Sequence, residues 1–263
     1  MGDVRVEIEG SITTIWMDRP ERRNAVDGPM AAELRDAFQA FEADPEQKVA
    51  VLAGTGGTFC AGADLTAVGD RERSNELDPD GGGTGPMGPT RMQLGKPLIA
   101  AISGYAVAGG LELALLADLR VVESDAVLGV FCRRWGVPLI DGGTVRLPRI
   151  VGLGRALDLI LTGRPVEADE ALAIGLATRV VGPGEAVRVA RELAGEIAEF
   201  PFGCVLADRA STYGALDLPP AEALRAEGAA GAPIVAAEGV AGAARFTAGE
   251  GRHGAFTPTE DRS

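Results

Sequence analysis

Histidine is almost missing from this chain: a single one, His253, stands near the C-terminus. A Ser-His-Asp or Cys-His hydrolase would have to keep its general base in that tail, which argues against both. A histidine-based metal site is excluded almost as firmly. Cysteine is nearly as scarce. Cys60, Cys132 and Cys204 lie far apart with no CxxC pair, so they read as reduced thiols and not as a disulfide framework or a zinc site. No apolar run approaches the roughly 20 residues of a membrane span. The opening MGDVRVEIEGSITTIWMDRP alternates apolar and charged residues where a signal peptide would carry an apolar core. A cytoplasmic protein with no membrane partner is the expectation. Positive charge is short too: 25 Lys and Arg face 38 Asp and Glu, a net charge of −13. Nucleic acid demands a basic footprint and is excluded as a partner. Chemistry is left to carboxylates, backbone amides or a thiol.

What is present suits a globular protein with a sizeable core: 263 residues, 46% of them hydrophobic. The organising stretch is Pro97 to Asp118. Leu98–Ile102 is an apolar run bounded by Pro97 and Ser103-Gly104, the pattern of a fully buried strand. After a turn at Gly104-Tyr105, Ala108-Gly109-Gly110 leads into LELALLA, a helix apolar on nearly every side and therefore a core helix. Gly109 and Gly110 put bare N–H groups at its N-terminus, where the macrodipole favours negative charge. One carboxylate, Glu112, sits in this apolar turn. A buried carboxylate needs a partner or a task.

In chain order, 4–8 and 12–17 read as a hairpin around Glu9-Gly10-Ser11. Asp27-Gly28-Pro29 starts a helix with Asp27 as cap, followed by Met30, Leu34, Ala37, Phe38 and Phe41 at helical spacing. Val49–Ala53 is a buried strand. Residues 68–96 are charged and then Gly/Pro-rich, either a flap beside a site or a disordered surface insert. Strands follow at 119–122 and 126–130. Helices are predicted after Gly142-Gly143-Thr144, interrupted at Pro148, and over 153–161 and 167–174, the last ended by Gly175. A short strand covers 178–181. From 184 the composition turns Ala/Glu/Arg-rich, with helices near 184–199, 202–215, 219–229 and 234–248. This predicts an α/β core over 1–183 and an all-helical region over 184–263.

Several blocks together carry a family signature: IEGSITTIWMDRPERRNAVD, GTFCAGADL, GYAVAGGLELALLAD, DGGTVRLPRIVG and LTGRPVEADEALAIGLATRVV, with FTAGEGRHGAF at the end. In order and spacing the chain resembles the crotonase (enoyl-CoA hydratase/isomerase) superfamily over nearly its whole length. The resemblance implies a spiral of ββα units with a C-terminal helical region that forms trimers and lids the site, in a homotrimer or a dimer of trimers. It implies an acyl-CoA substrate, with coenzyme A as part of that substrate and no separate cofactor or metal. Ala63 and Gly109 fall where the family places the two N–H donors of its oxyanion hole, and Glu112 where it places a catalytic glutamate. The apolar surroundings of Glu112 favour a raised pKa, the tuning that a general acid/base needs.

One departure bears on the reaction. The family's second glutamate lies twenty residues beyond the first in a typical hydratase, and here that position is Cys132. Two carboxylates can divide the placing of a water from the delivery of a proton, whereas moving a proton between carbons needs one base. Hydratase and isomerase therefore both stand, beside a catalytically weak acyl-CoA binding protein. Asp141 either replaces the missing acid or caps the following helix. Cys132 is a candidate nucleophile or a plain buried thiol. For coenzyme A, the resemblance points to backbone around Ala61, Ala63, Asp64 and Leu65, with Ala25 and Gly109 nearby, and to Arg22 or Arg23 for the phosphates, a planar cation suited to them.

Overall fold

The computed structural model describes residues 2–251; His253 and the end of FTAGEGRHGAF lie outside the described residues. The predicted hairpin is present. β1 (Val4–Glu9) pairs antiparallel with β2 (Ile12–Met17). α1 (Gly28–Ala43) starts at the predicted cap: the Asp27 carboxylate accepts a hydrogen bond from the Met30 N–H at 3.3 Å. Its residues Met30, Leu34, Phe38 and Phe41 are buried, one face of the helix. The apolar runs form β3 (Val49–Gly54) and β4 (Leu98–Ile102).

Gly104-Tyr105 is not a turn as a pair. Gly104 alone turns the chain, with φ 52°, and a Cβ there would stand 2.3 Å from the Gly57 carbonyl oxygen. Tyr105 already belongs to β5 (Tyr105–Val107), a strand of a second sheet. Three residues are too few for a periodicity to register; β5 exists because a distant strand lies beside it. α2 (Gly109–Leu116) follows, β6 (Leu119–Glu123) returns to the first sheet, and β7 (Val127–Gly129) pairs parallel with β5. Next come α3 (Gly143–Val151), α4 (Leu153–Thr162) and β8 (Pro165–Glu167), antiparallel to β7. Then α5 (Ala168–Ala173) and β9 (Arg179–Val181) follow. The first sheet has the order β1-β2-β3-β4-β6-β9, parallel from β2 onward. Its central strands are buried on both faces, which is why they read as unbroken apolar runs. Twice the chain passes from the first sheet to the second and then to a helix, β4-β5-α2 and β6-β7-α3, which is the expected ββα spiral.

α6 (Ala186–Glu199) moves the predicted boundary. Ala186, Ala190, Leu193, Ala194 and Ala198 are buried, so the change of composition at 184 marks an amphipathic helix of the first unit. The compact units divide between Ala198 and Glu199. The second unit holds α7 (Phe202–Ala215), α8 (Pro220–Ile234), a π-helical turn at 235–239 and α9 (Val240–Ala248). The two last predicted helices thus join across Pro233. Among the described residues, no helix is long and apolar enough to cross a membrane.

Candidate active site

Two turns and one helix build the site. The turn at Cys60–Asp64 is held against residues 23–26. Ala61 N–H donates to the Arg23 carbonyl (3.0 Å), Val26 N–H to that of Gly62 (2.8 Å) and Asp64 N–H to that of Val26 (2.9 Å). Asn24 braces the same region, accepting from Arg19 N–H and donating to the Thr55 and Thr58 carbonyls. The Ala63 N–H points away from these bonds and has no acceptor among the described residues. The second turn is Ala108, whose φ of 55° and ψ of −126° are rare for a residue with a Cβ and cost on the order of 1–3 kcal/mol. That reversal starts α2 with the Gly109 N–H free of any intrahelical acceptor. The two turns touch: a Cβ on Gly62 would lie 3.1 Å from Gly109 N.

Both turns face a cleft of about 590 Å³ that Glu112 also lines. Its walls are mainly apolar, among them Leu65, Val68, Met87, Phe131, Val137 and Ile140. Glu112 is 3% exposed. Its Oε1 accepts hydrogen bonds from the N–H groups of Asp141 (2.9 Å) and Gly143 (2.8 Å), while Oε2 has no partner among the described residues. Burial, and next the neighbouring Asp141 carboxylate, push its pKa from 4.5 up to about 7, against the pull of the two amides and Arg146.

Asp141 is buried in the same cleft but is not the cap of α3. That cap is Gly142, with no side-chain hydrogen bond to the helix. The Asp141 carboxylate turns instead to the preceding loop, where Oδ1 accepts from Met87 N–H (2.9 Å) and from the Thr90 hydroxyl. Cys132 lines the cleft too. Burial, then the Glu112 charge, raise its thiol pKa, so it is no activated nucleophile.

The Gly/Pro-rich segment 68–96 carries no strand or regular α-helix, yet it is not a solvated insert. Met87, Thr90 and Leu94 are buried, and Val68, Asn75, Leu77 and Met87 form part of the cleft wall. Arg73 fastens it to the buried carboxylates of Asp27 (3.3 Å) and Asp64 (2.9 Å), which Arg19 also pairs with. Burial opposes the charge on Asp64, but Thr66, Arg19 and Arg73 together hold its pKa below the usual range. Its side chain is thus committed to the fold. Ala61, Ala63, Leu65 and Gly109 line the cleft; Ala25 and the exposed Arg22 and Arg23 do not. Sequence reasoning missed Met87, Thr90 and Gly143. Met87 had one signal, as the sole large apolar residue between Leu77 and Met92.

A family model described as enoyl-CoA hydratase/isomerase matches residues 7–223. The chain belongs to that family. Among its relatives, a carnitinyl-CoA dehydratase of Proteus mirabilis is 40% identical over 191 residues, 72% of each chain. The enoyl-CoA hydratase EchA19 of Mycobacterium tuberculosis is 37% identical over 202 residues, 74% of each. A crystal structure of an enoyl-CoA hydratase from Mycobacterium tuberculosis H37Rv superposes with a TM-score of 0.86 at 33% identity, covering 94% of this chain and 97% of that one. The fold is therefore the crotonase fold, as the enoyl-CoA hydratase/isomerase motifs implied.

Proposed function

We propose that the protein is an enoyl-CoA hydratase, adding water reversibly across the 2,3-double bond of an acyl-CoA thioester. The observation that carries this reading is one apolar cleft in which a carboxyl group of near-neutral pKa meets two unclaimed backbone N–H groups. The thioester oxygen accepts hydrogen bonds from Ala63 and Gly109, which stabilise the enolate as water adds at C3. Losing one such donor costs about 3–4 kcal/mol. Glu112, its Oε1 pinned by two amides, uses Oε2 to take a proton from the attacking water and returns a proton to C2. A pKa near 7 keeps both of its forms populated at neutral pH. Relatives that are a carnitinyl-CoA dehydratase and an enoyl-CoA hydratase support the reading.

Incubation with crotonyl-CoA tests it, read as loss of the enoyl thioester absorbance with appearance of the 3-hydroxyacyl product. Glu112→Gln should bind acyl-CoA and lose roughly 10²–10⁴-fold in kcat; an unchanged rate would falsify the role of Glu112. A second reading, isomerisation of a 3-enoyl-CoA, is favoured by Cys132, whose thiol supplies no second carboxyl group. Coenzyme A binding without hydration, and with turnover of a 3-enoyl-CoA, would select it. Binding with neither reaction would leave an acyl-CoA binding protein.

We also infer a homotrimer or a dimer of trimers in the cytoplasm. Coenzyme A enters as part of the substrate, with no separate cofactor. Its adenine lies against backbone at Ala61–Leu65 and its phosphates meet Arg22 or Arg23. Family membership supports these points.

A further inference from the structure

Asp141 hydrogen-bonds both Glu112 and the loop over the helix N-terminus. Its backbone N–H donates to Glu112 Oε1 at 2.9 Å. Its Oδ1 accepts from Met87 N–H at 2.9 Å and from the hydroxyl of Thr90, a fully buried residue. Two arginines repeat the stitch from either side: Arg91 donates to the Ile140 carbonyl (2.8 Å), and Arg146 to those of Thr90 (2.7 Å) and Asp141 (3.2 Å). Met87 in turn covers the start of α2, since a Cβ on Gly109 would stand 2.8 Å from its Sδ. Gly85 leaves room for this arrangement; a Cβ there would lie 2.2 Å from Thr90 Oγ1 and 3.2 Å from Asp141 Oδ1.

We propose that Asp141 is a positioning residue, which locks Glu112, the 87–90 segment and the start of α3 into one unit and acts on the reaction only through Glu112. This rests on the reading of Glu112 as the acid/base. Burial raises the Asp141 pKa against the pull of Thr90, the Met87 N–H, Arg91 and Arg146, and its Oδ1, which already takes two donors, is tied to the loop and not left free to serve a substrate. Its charge still acts. The ionisable groups that bear on Glu112 are Asp141, from the loop before α3, Arg146 on α3, and Cys132 with Arg133 beside it in the 131–135 turn. Arg91 and Arg146 also bear on Asp141 itself. Asp141 is the negative neighbour among them, so it disfavours the ionised form of Glu112. Neutralising it should let Glu112 ionise at lower pH.

The test is Asp141→Asn, which keeps an acceptor for Met87 N–H and Thr90 but removes the charge. Carbon-13 labelled glutamate, with the Glu112 carboxyl signal assigned by its loss in Glu112→Gln, reports the titration without requiring turnover. The midpoint should fall by about half to one pH unit, and the limb of the pH–rate profile that belongs to Glu112 should move with it. We expect kcat to drop by about tenfold, far less than for Glu112→Gln, with KM little changed. An unmoved midpoint overturns the proposal. So does a loss of activity as large as that of Glu112→Gln in a folded variant, which would make Asp141 an acid in its own right. Should Asp141→Asn fail to fold, Thr90→Val keeps Asp141 and removes one donor that favours its charge. It must shift the same midpoint in the same direction by less, and no shift there is equally fatal. Wild-type protein that turns over no enoyl-CoA would sink the hydratase reading, while the titration would still decide the coupling of Asp141 to Glu112.

Discussion

Holding Glu112 in an apolar cleft has a stability cost that depends on pH. Below about pH 4.5 the carboxyl is protonated in both folded and unfolded chains and the cost is nil. Between 4.5 and about 7 the unfolded chain releases a proton that the folded chain keeps, so stability falls as pH rises through this window. Above it the penalty is constant at roughly 3 kcal/mol. Glu112→Gln preserves an acceptor for the Asp141 and Gly143 amides without the charge. Its stability advantage over wild type should be near zero at pH 4, grow to pH 7 and stay level beyond. Thermal melts across that range check this, and a pH-independent difference would sink it. The residue most damaging to activity when changed is then one that weakens the native state when present.

At the scale of elements, α2 decides how closely the two turns of the site approach. Its first two glycines differ in what surrounds them. A Cβ on Gly110 would lie 2.2 Å from the Cys60 carbonyl oxygen, which is backbone of the facing turn, whereas a Cβ on Gly109 meets the thioether end of Met87. A side chain can rotate away; a hydrogen-bonded turn cannot. Alanine gains about 1 kcal/mol over glycine in helix propensity, and overpacking costs about 1–3 kcal/mol or more. Gly110→Ala should therefore lower the urea midpoint clearly, and Gly109→Ala much less. Equal midpoints would contradict the backbone contact. The same distinction separates what was legible in the sequence from what was not. α1, α2, β3 and β4 could be read because burial imposes a pattern along each segment: spaced apolar residues under α1, unbroken ones in the other three. β5 could not, because three residues hold no pattern and its partner β7 is distant in sequence. Glu112 was legible as a carboxylate among leucines, and the Ala63 and Gly109 turns through the family motifs. The hold of Asp141 on Met87 spans 54 residues, and nothing local to either residue announces it. Asp141 was therefore open to reading as a helix cap.

At the scale of the whole molecule, the helices of the second unit expose apolar side chains that a solitary chain would leave in water. None of the residues in α7, α8 or α9 is buried. Tyr213, Leu216, Leu224, Val240 and Phe246 are each between 48% and 67% exposed. Single exposed apolar residues are ordinary, but several on consecutive helices fit the proposed assembly, in which a neighbouring copy would cover them. A net charge of −13 works against self-association at long range, so the contact must come from apolar burial at about 25 cal/mol per Å². The proposed assembly has three or six copies. Light scattering behind size exclusion should accordingly give three or six times the 27.0 kDa chain mass. Leu224→Asp with Phe246→Asp should shift the protein to smaller species, because a charge buried without a partner costs more than the apolar contact returned. Among the described residues, those that line the cleft all belong to the first unit, so the double variant should retain the Glu112 titration even as its assembly breaks. A wild-type mass of a single chain would remove the proposed trimer and leave the exposed helices without a partner of their own kind.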